Sequence, residues 1–178
     1  MKYIKKYNYQ DIKMIMESDG FYLTGLWFEN SKDSLKHHNV SEEKNLKIFA
    51  ETKKWLDTYF KGEILDFTPK YKLEGITPFR QLVTNILKEI PYGKLTTYGE
   101  IAKKICQIKN IEKMSSQAVG NAVGANPICI IIPCHRVVGK NNNLTGYGGG
   151  LENKIKLLKI EHHNLASFSM PKEVNHGN

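Results

Sequence analysis

The pattern of apolar and polar residues predicts a β-hairpin followed by a helix in the first half of the chain. Segments 11–17 and 21–28 alternate or run apolar, and residues 18–20 (Ser-Asp-Gly) have the composition of a turn. After Ser41, apolar residues recur at roughly helical spacing, and Gly62 closes the stretch. The positions that predict this helix are Leu46, Phe49, Leu56, Tyr59 and Phe60. No residue of this half shows a pattern typical of catalysis.

A continuous apolar face predicts the first helix of the second half. Thr77 has the side chain of a helix N-cap, Pro78 suits the first helical position, and Pro91 with Gly93 ends the helix. We expect this helix to be the scaffold of the second half. Its apolar face consists of Phe79, Leu82, Val83, Ile86, Leu87 and Ile90.

Two short helices joined by a connector are predicted next. Thr97 and Glu100 have the spacing of a capping box, and Ser115 or Ser116 can cap a second helix built of small residues, QAVGNAVG. With residues 106–114 as the connector, the pair fits a helix-turn-helix, in which small residues let a helix approach a groove closely. The same small residues are equally suited to tight helix packing, so the pattern alone does not decide between the two.

An apolar, β-branched run at residues 128–132 (ICIII) predicts a buried strand, which Pro133 ends because proline cannot donate to a ladder. The glycine-rich segment 146–150 follows. One more helix is predicted from the apolar positions Leu151, Ile155 and Leu158.

The elements predict an α+β or α/β chain of two domains with a boundary near residues 68–77. Residues 1–75 form a small α/β domain, and residues 76–165 form a mostly helical domain. The composition of residues 166–178 favours a disordered tail.

Charge separates the two halves. Of the net charge of +8, residues 1–75 contribute +1 and residues 76–178 contribute +7. Such asymmetry is typical of a half that meets a polyanion, although solubility alone explains it equally well. No apolar run approaches a membrane span and no secretory signal is visible, and the three cysteines do not suggest a disulfide framework. We therefore expect a cytoplasmic protein without membrane contact.

Cys134 follows the predicted strand directly, and His135 is its neighbour. The cysteine could be a nucleophile, a metal ligand or a packed core residue. A nucleophile needs a base or positive potential, and neighbours on an extended chain point to opposite sides, so a bend or a bridging water would have to connect the two. Metal ligation is disfavoured because no second cysteine lies at C-x-x-C spacing, and Cys106 and Cys129 are interpreted as core residues. His37 and His38 have no further ligand near them and are interpreted as solvated loop residues.

The second half resembles the O6-alkylguanine-DNA alkyltransferases, also called methylated-DNA–protein-cysteine methyltransferases. The resemblance runs from Phe79 to about Glu161, and the order and spacing of four motifs are kept. These motifs are TTYGEIA (96–102), QAVGNAVGANP (117–127), IPCHRVVG (132–139) and TGYGGGL (145–151). The resemblance implies a ribonuclease-H-like N-terminal α/β domain, which here lacks the zinc-binding Cys/His set of some members, followed by a winged helix-turn-helix domain.

The resemblance implies a catalytic set around Cys134. Cys134 would accept the alkyl group, His135 would act as its base through a water, and Glu161 would orient His135. Tyr98 would reach the flipped base and help to protonate the departing guanine. Asn126 would join the recognition helix to the segment that carries Cys134.

The resemblance also implies contacts to the substrate and to DNA. The carbonyls of Cys134 and Val137 would read the guanine amino group, and Tyr147, the Gly148 amide and Lys154 would line the pocket near O6. The residues expected at the DNA are Ser116, Gln117, Ala118 and Arg136. The implied partner is double-stranded DNA containing O6-alkylguanine, bound through the minor groove by a monomer with neither cofactor nor metal.

The sequence departs from the family at two positions of the site. Gln117 stands where an arginine often intercalates, so we expect base flipping with weaker DNA affinity. Gly148 stands where a serine is often found, so only an amide contact is expected there. Three other classes remain: an alkyltransferase-like protein that binds the lesion without transfer (such proteins lack the cysteine), a cysteine hydrolase, and a helix-turn-helix regulator.

Overall fold

A computed structural model describes residues 1–36 and 41–171. Its first half is a four-stranded sheet of order β3-β2-β1-β4 packed with one helix. Neighbouring strands are antiparallel except β1 and β4, which are parallel. The elements are β1 (Lys2–Tyr9), β2 (Ile12–Ser18), β3 (Leu23–Phe28), β4 (Ser41–Glu43) and α1 (Lys47–Phe60).

The predicted hairpin is confirmed as β2 and β3, with a register shift at Glu17 and Ser18. Strand β1 was not predicted, because only one of its residues, Tyr7, is buried and its apolar signal is therefore weak. The helix begins later than predicted. Ser41 lies in β4, and Leu46 occupies the N-cap position of α1 without a side-chain cap bond.

Up to residue 171, the second half contains four α-helices, three short 3₁₀ turns and a two-stranded parallel sheet. The Thr77 cap, the capping box of Thr97 with Glu100, and the Ser115 cap are all present. The first helix ends two residues before Ile90, and the second continues through the predicted connector as far as Lys109. The elements are α2 (Pro78–Lys88), β5 (Thr96–Thr97), α3 (Tyr98–Lys109), α4 (Ser116–Gly124), β6 (Val137–Val138) and α5 (Leu151–Ile160).

The predicted strand at 128–132 is wrong. The segment makes one isolated bridge, from Ile128 to Leu26, and then turns, with Ile130 at a φ of 71°. Bonds from Ile131 N to Cys129 O (2.8 Å) and from Ile132 N to Ile128 O (3.1 Å) close the turn locally. The segment is almost entirely buried nonetheless. An apolar run reports burial, and it does not distinguish an extended chain from a buried turn.

One hydrophobic core joins the two halves, because residues of the sheet, α1, α2, α3, α4 and α5 belong to a single buried cluster. Backbone bonds cross between the halves: Leu26 N donates to Pro127 O and Cys129 N donates to Leu26 O, both at 2.9 Å. At the other end, Leu144 N bonds to Ser169 O at 2.8 Å, so the start of the predicted tail is paired. Residues 172–178, like His37 and His38, lie outside the described residues.

Candidate active site

Cys134 begins a short 3₁₀ turn, Cys134–Arg136, directly after Pro133. Asn126, just beyond the end of α4, fixes this turn. Its Nδ2 donates to Ile132 O at 2.8 Å and to Cys134 Sγ at 3.1 Å, and its Oδ1 accepts from Ile128 N at 3.0 Å. The backbone N of Asn126 donates to Val123 O of α4 at 3.2 Å, so Asn126 joins the end of α4 to the segment that carries Cys134.

Cys134 lines a pocket of about 30 Å³ between the two halves. This volume has room for one or two waters. Helix α4 contributes small residues to the wall, and the first half contributes Asp33. The complete lining is Asp33, Tyr98, Gly120, Val123, Gly124, Asn126, Cys134, Gly146, Tyr147 and Gly148.

The surroundings favour the thiolate of Cys134. The pKa of Cys134 is lowered, first by the hydrogen bond from the Cys129 thiol and then by those from Asn126 and Tyr147, against the opposing effects of burial and of the Asp33 charge. Cys129, which composition suggested to be inert, thus lies within hydrogen-bonding reach of the nucleophile. A lowered pKa at a pocket floor is typical of a reactive cysteine.

His135 is fully buried, and its two ring nitrogens have different surroundings. Nε2 is bonded to Glu161 Oε2, whereas Nδ1 has no protein partner. Since a carboxylate accepts, the proton of the neutral ring belongs on Nε2, and the lone pair is on Nδ1. Burial lowers the pKa of His135, against the raising effect of Glu161. The ring is therefore uncharged near neutral pH, and its Nδ1 can accept a proton. A direct Cys134–His135 bond is absent among the described contacts, and the bridging water stays a prediction.

Glu161 is a buried carboxylate with four donors. Oε2 accepts from His135 and from the Tyr59 hydroxyl (2.6 Å). Oε1 accepts from Arg136 Nε (2.7 Å) and from Gly93 N (3.1 Å). Burial alone would raise the pKa of Glu161, but the bonds from His135 and Arg136 hold it well below its usual range. The carboxylate is therefore a permanent anion behind the histidine.

Arg136 does not lie at the surface. It is 9% exposed, its Nη1 donates to Ile90 O at 2.8 Å, and its guanidinium lies over the Tyr92 ring. The DNA contact of Arg136 stays a prediction, and in this structure the side chain is bonded to the Glu161 carboxylate and to the Ile90 carbonyl just after α2.

Of the residues expected to contact the substrate, Tyr98, Tyr147 and Gly148 line the pocket, whereas Val137 and Lys154 are fully buried and do not line it. Tyr98 begins α3, and its hydroxyl oxygen accepts from Thr145 Oγ1 at 3.1 Å. Lys154 is fully buried, donates to Val137 O at 2.7 Å, and has its pKa lowered by burial to about 8. The Val137 carbonyl keeps one lone pair for a ligand. The Tyr147 hydroxyl lies 3.9 Å from Cys134 Sγ.

Gly148 has no room for a side chain, because an added Cβ would collide with the Asp33 carboxylate. The backbone of the two residues is joined as well, with Asp33 N donating to Gly148 O at 3.2 Å. Asp33 Oδ2 also lies 3.8 Å from Cys129 Sγ. The departure from serine at this position is thus explained by a residue of the first half.

Sequence reasoning missed Tyr59 and Asp33. Tyr59 was identified only as an apolar position of α1, and no pattern distinguished Asp33 from other acidic residues of the first half. No local signal could have found them, since their partners Glu161 and Gly148 lie more than 100 residues further along the chain.

The residues expected at the DNA, apart from Arg136, lie together at the start of α4. Ser116 and Gln117 are exposed and Ala118 is half-buried. Gln117, Gly120 and Gly124 share one face of α4 by helical spacing, and the two glycines line the pocket. Gln117 is therefore one turn from the pocket mouth.

The described residues contain neither a metal-binding cluster nor a membrane-spanning helix. Within residues 1–36 and 41–171, no group of three His, Cys, Asp or Glu side chains is arranged to hold a metal ion. Over the same residues, no helix has both the length and the apolar character needed to cross a bilayer.

The fold and the site define a class: a buried cysteine thiol at a pocket, next to a histidine–carboxylate pair and beside two short helices. Comparisons with known proteins agree. The family model "6-O-methylguanine DNA methyltransferase, DNA binding domain" matches residues 78–163. The methylated-DNA–protein-cysteine methyltransferase of Methanosarcina acetivorans is 47% identical over 139 residues, which span 77% of this chain and 85% of the relative. That of Haemophilus influenzae is 43% identical over 152 residues, 84% of this chain and 80% of the relative.

Solved structures give the same result. The crystal structure of the Mycobacterium tuberculosis O6-methylguanine methyltransferase has a TM-score of 0.75 at 36% identity, covering 90% of this chain and 93% of that chain. The M. tuberculosis protein in complex with DNA has a TM-score of 0.76 at 35% identity, covering 89% and 92%. The chain belongs to the methylated-DNA–protein-cysteine methyltransferase family.

Proposed function

We propose that the protein repairs DNA by transferring the alkyl group of O6-alkylguanine to its own Cys134, once per molecule. The observation that carries the proposal is the position of Cys134: a buried thiol with a lowered pKa on the wall of a pocket shared with the glycines of α4. The adjacent His135–Glu161 pair supplies the base that a thiol nucleophile requires.

The reaction moves one proton and exchanges one bond. The Cys134 thiol passes its proton through a water to His135 Nδ1, and Glu161 stabilises the imidazolium. Cys134 Sγ then attacks the alkyl carbon, an S–C bond forms, and the bond from that carbon to guanine O6 breaks. The guanine takes up a proton through Tyr98, and His135 loses its proton to solvent. The thioether at Cys134 has no ready leaving group, so the protein is spent.

Guanine O6 points into the stacked duplex, so the reaction requires the nucleotide to be flipped out. Small residues on α4 suit close approach to the minor groove, with Gln117 filling the space that the flipped base leaves. Phosphate contacts from the positively charged second half supply affinity. In the pocket, the Gly148 amide and Tyr147 face the base. Lys154 and the Val137 carbonyl, which are bonded to each other behind the lining, come into contact with the base when it enters.

The two-domain division also belongs to this proposal: a ribonuclease-H-like unit in residues 1–75 and a winged helix-turn-helix in residues 76–165. The four-stranded sheet with α1, and the α3–α4 pair, support it. We also propose that the protein acts as a monomer. Its three free cysteines suit a reducing cytoplasm.

The test is transfer itself. After incubation with duplex DNA carrying labelled O6-methylguanine, we expect one methyl mass increment on the Cys134 peptide and no further turnover. Cys134→Ala should show none, whereas the matched control Cys106→Ala, which changes a cysteine outside the pocket, should transfer normally. Binding of the lesion without an increment in the unaltered protein would instead establish a lesion-binding protein without transferase activity.

A further inference from the structure

Tyr59 links the first half of the chain to the base of the proposed reaction. It projects from α1, is 3% exposed, and donates its hydroxyl hydrogen to Glu161 Oε2 at 2.6 Å. The same hydroxyl oxygen lies 3.4 Å from His135 Nε2, and the two rings meet edge to face with centroids 6.4 Å apart. Tyr59 therefore touches both partners of the histidine–carboxylate pair.

The Tyr59 hydroxyl donates to Glu161 Oε2, which is the oxygen that is also bonded to His135. Glu161 Oε2 has two partners, and these are His135 and Tyr59; Arg136 and Gly93 bond to Oε1. Burial, followed by the nearby Glu161 charge, raises the pKa of Tyr59 well above its ordinary value. The Tyr59 hydroxyl therefore keeps its proton and remains a donor near neutral pH.

We propose that Tyr59 is a positioning residue for alkyl transfer, whose hydroxyl holds Glu161 Oε2 against His135 and limits how strongly that carboxylate stabilises the imidazolium. The proposal rests on the transfer function proposed above. A hydrogen bond donated to a carboxylate oxygen withdraws negative charge from it and weakens it as an acceptor for its other partner. Tyr59 would thereby keep His135 neutral, and ready to accept a proton, at lower pH.

Four other charged or titratable groups surround the His135–Glu161 pair, and none of them is changed in the Tyr59 variants. These groups are Arg136 in the Cys134 segment, Lys154 in α5, Tyr92 in the loop after α2, and His163 in the chain after α5. Arg136 and Lys154 lower the pKa of His135, and Glu161 raises it. Glu161 also acts on Tyr92 and His163. Of these groups Tyr92 is the best control, since its ring packs 6.2 Å from that of Tyr59.

The experiment compares Tyr59→Phe with Tyr92→Phe. The Tyr92 hydroxyl donates to Ile160 O at 3.1 Å and has no bond to the Glu161 carboxylate, so both variants lose a phenol hydroxyl but only one loses the carboxylate bond. The single-turnover transfer rate is measured from pH 5 to 8, and the His135 pKa is measured directly by NMR with labelled imidazole. For Tyr59→Phe we expect the acid limb and the His135 pKa to rise by roughly half a unit to one unit, with transfer slowed about threefold to tenfold at neutral pH.

Incorporating 3,5-difluorotyrosine at position 59 should shift the His135 pKa in the opposite direction from Tyr59→Phe. Its more acidic hydroxyl donates more strongly, so the acid limb and the His135 pKa should fall. If Tyr59→Phe and Tyr92→Phe both keep the acid limb and the His135 pKa of the unaltered protein, Tyr59 is only a packing residue and the proposal is overturned. If the unaltered protein fails to transfer, the transfer function is lost, while the NMR measurement still decides whether Tyr59 controls His135.

Discussion

At the scale of single residues, the charge of Asp33 raises the pKa of Cys134, the proposed nucleophile. Its carboxylate shares the pocket with Cys134, and its charge opposes the donors that lower the thiol pKa. It also occupies the space beside Gly148 that a side chain would fill. A pocket of about 30 Å³ with this carboxylate in its wall leaves Cys134 shielded when no base is bound.

Asp33→Asn should make Cys134 more reactive in the absence of DNA. The amide has the same shape and no charge, so the Cys134 pKa should fall and the thiolate fraction at neutral pH should increase. A fall of about half a unit to one unit corresponds to roughly threefold to tenfold faster alkylation by iodoacetamide. Asp66→Asn, at an exposed position outside the pocket, is the matched control. Equal alkylation rates in the two variants would show that the Asp33 charge does not act on Cys134.

At the scale of elements, α4 joins the DNA surface to the pocket. Its Ser115 cap fixes the first turn, where Ser116 and Gln117 are exposed, and its next turns place Gly120 and Gly124 in the wall of the pocket that Cys134 also lines. A change at Gln117 is therefore expected to act on DNA binding without reaching the thiol.

Gln117→Arg should strengthen binding to duplex DNA, because it adds one positive charge at the helix start nearest the pocket. We expect an affinity gain of about threefold to tenfold at 0.1 M salt, with the salt dependence steeper by about one released ion. Gln10→Arg adds the same charge in the β1–β2 turn and serves as the control. If both variants bind alike, Gln117 does not face the DNA as proposed.

At the scale of the whole molecule, the two halves share one core and one site. Tyr59 and Asp33 come from the first half, and the residues they contact in the site come from the second. Leu26 is fully buried and its backbone bonds to Pro127 and Cys129 across the junction. Such shared packing is typical of a single cooperative unit.

Urea unfolding should therefore show one transition for both halves. Fluorescence of Trp27 and Trp55 reports on the first half, and alkylation of Cys134 reports on the second. Leu26→Ala should lower the free energy of unfolding by about 2–5 kcal/mol. Both urea midpoints should therefore fall together. Leu35→Ala, at a position 65% exposed, should leave both unchanged. Alkylation of Cys134 at urea concentrations below the fluorescence transition would show that the halves unfold separately.

The sequence alone determined the features whose causes are local. Helix caps, the apolar face of α2 and the β2–β3 hairpin depend on neighbours within a few residues, and so they could be predicted. The motifs around Cys134, His135 and Glu161 identified the family because they stand in a fixed order along the chain. The tertiary structure alone decided what depends on distant partners. It turned residues 128–132 into a buried turn, withdrew Arg136 from the surface to Glu161, and brought Tyr59 and Asp33 into the site. Burial and bonding at these positions are set by residues far along the chain, and no local pattern encodes them.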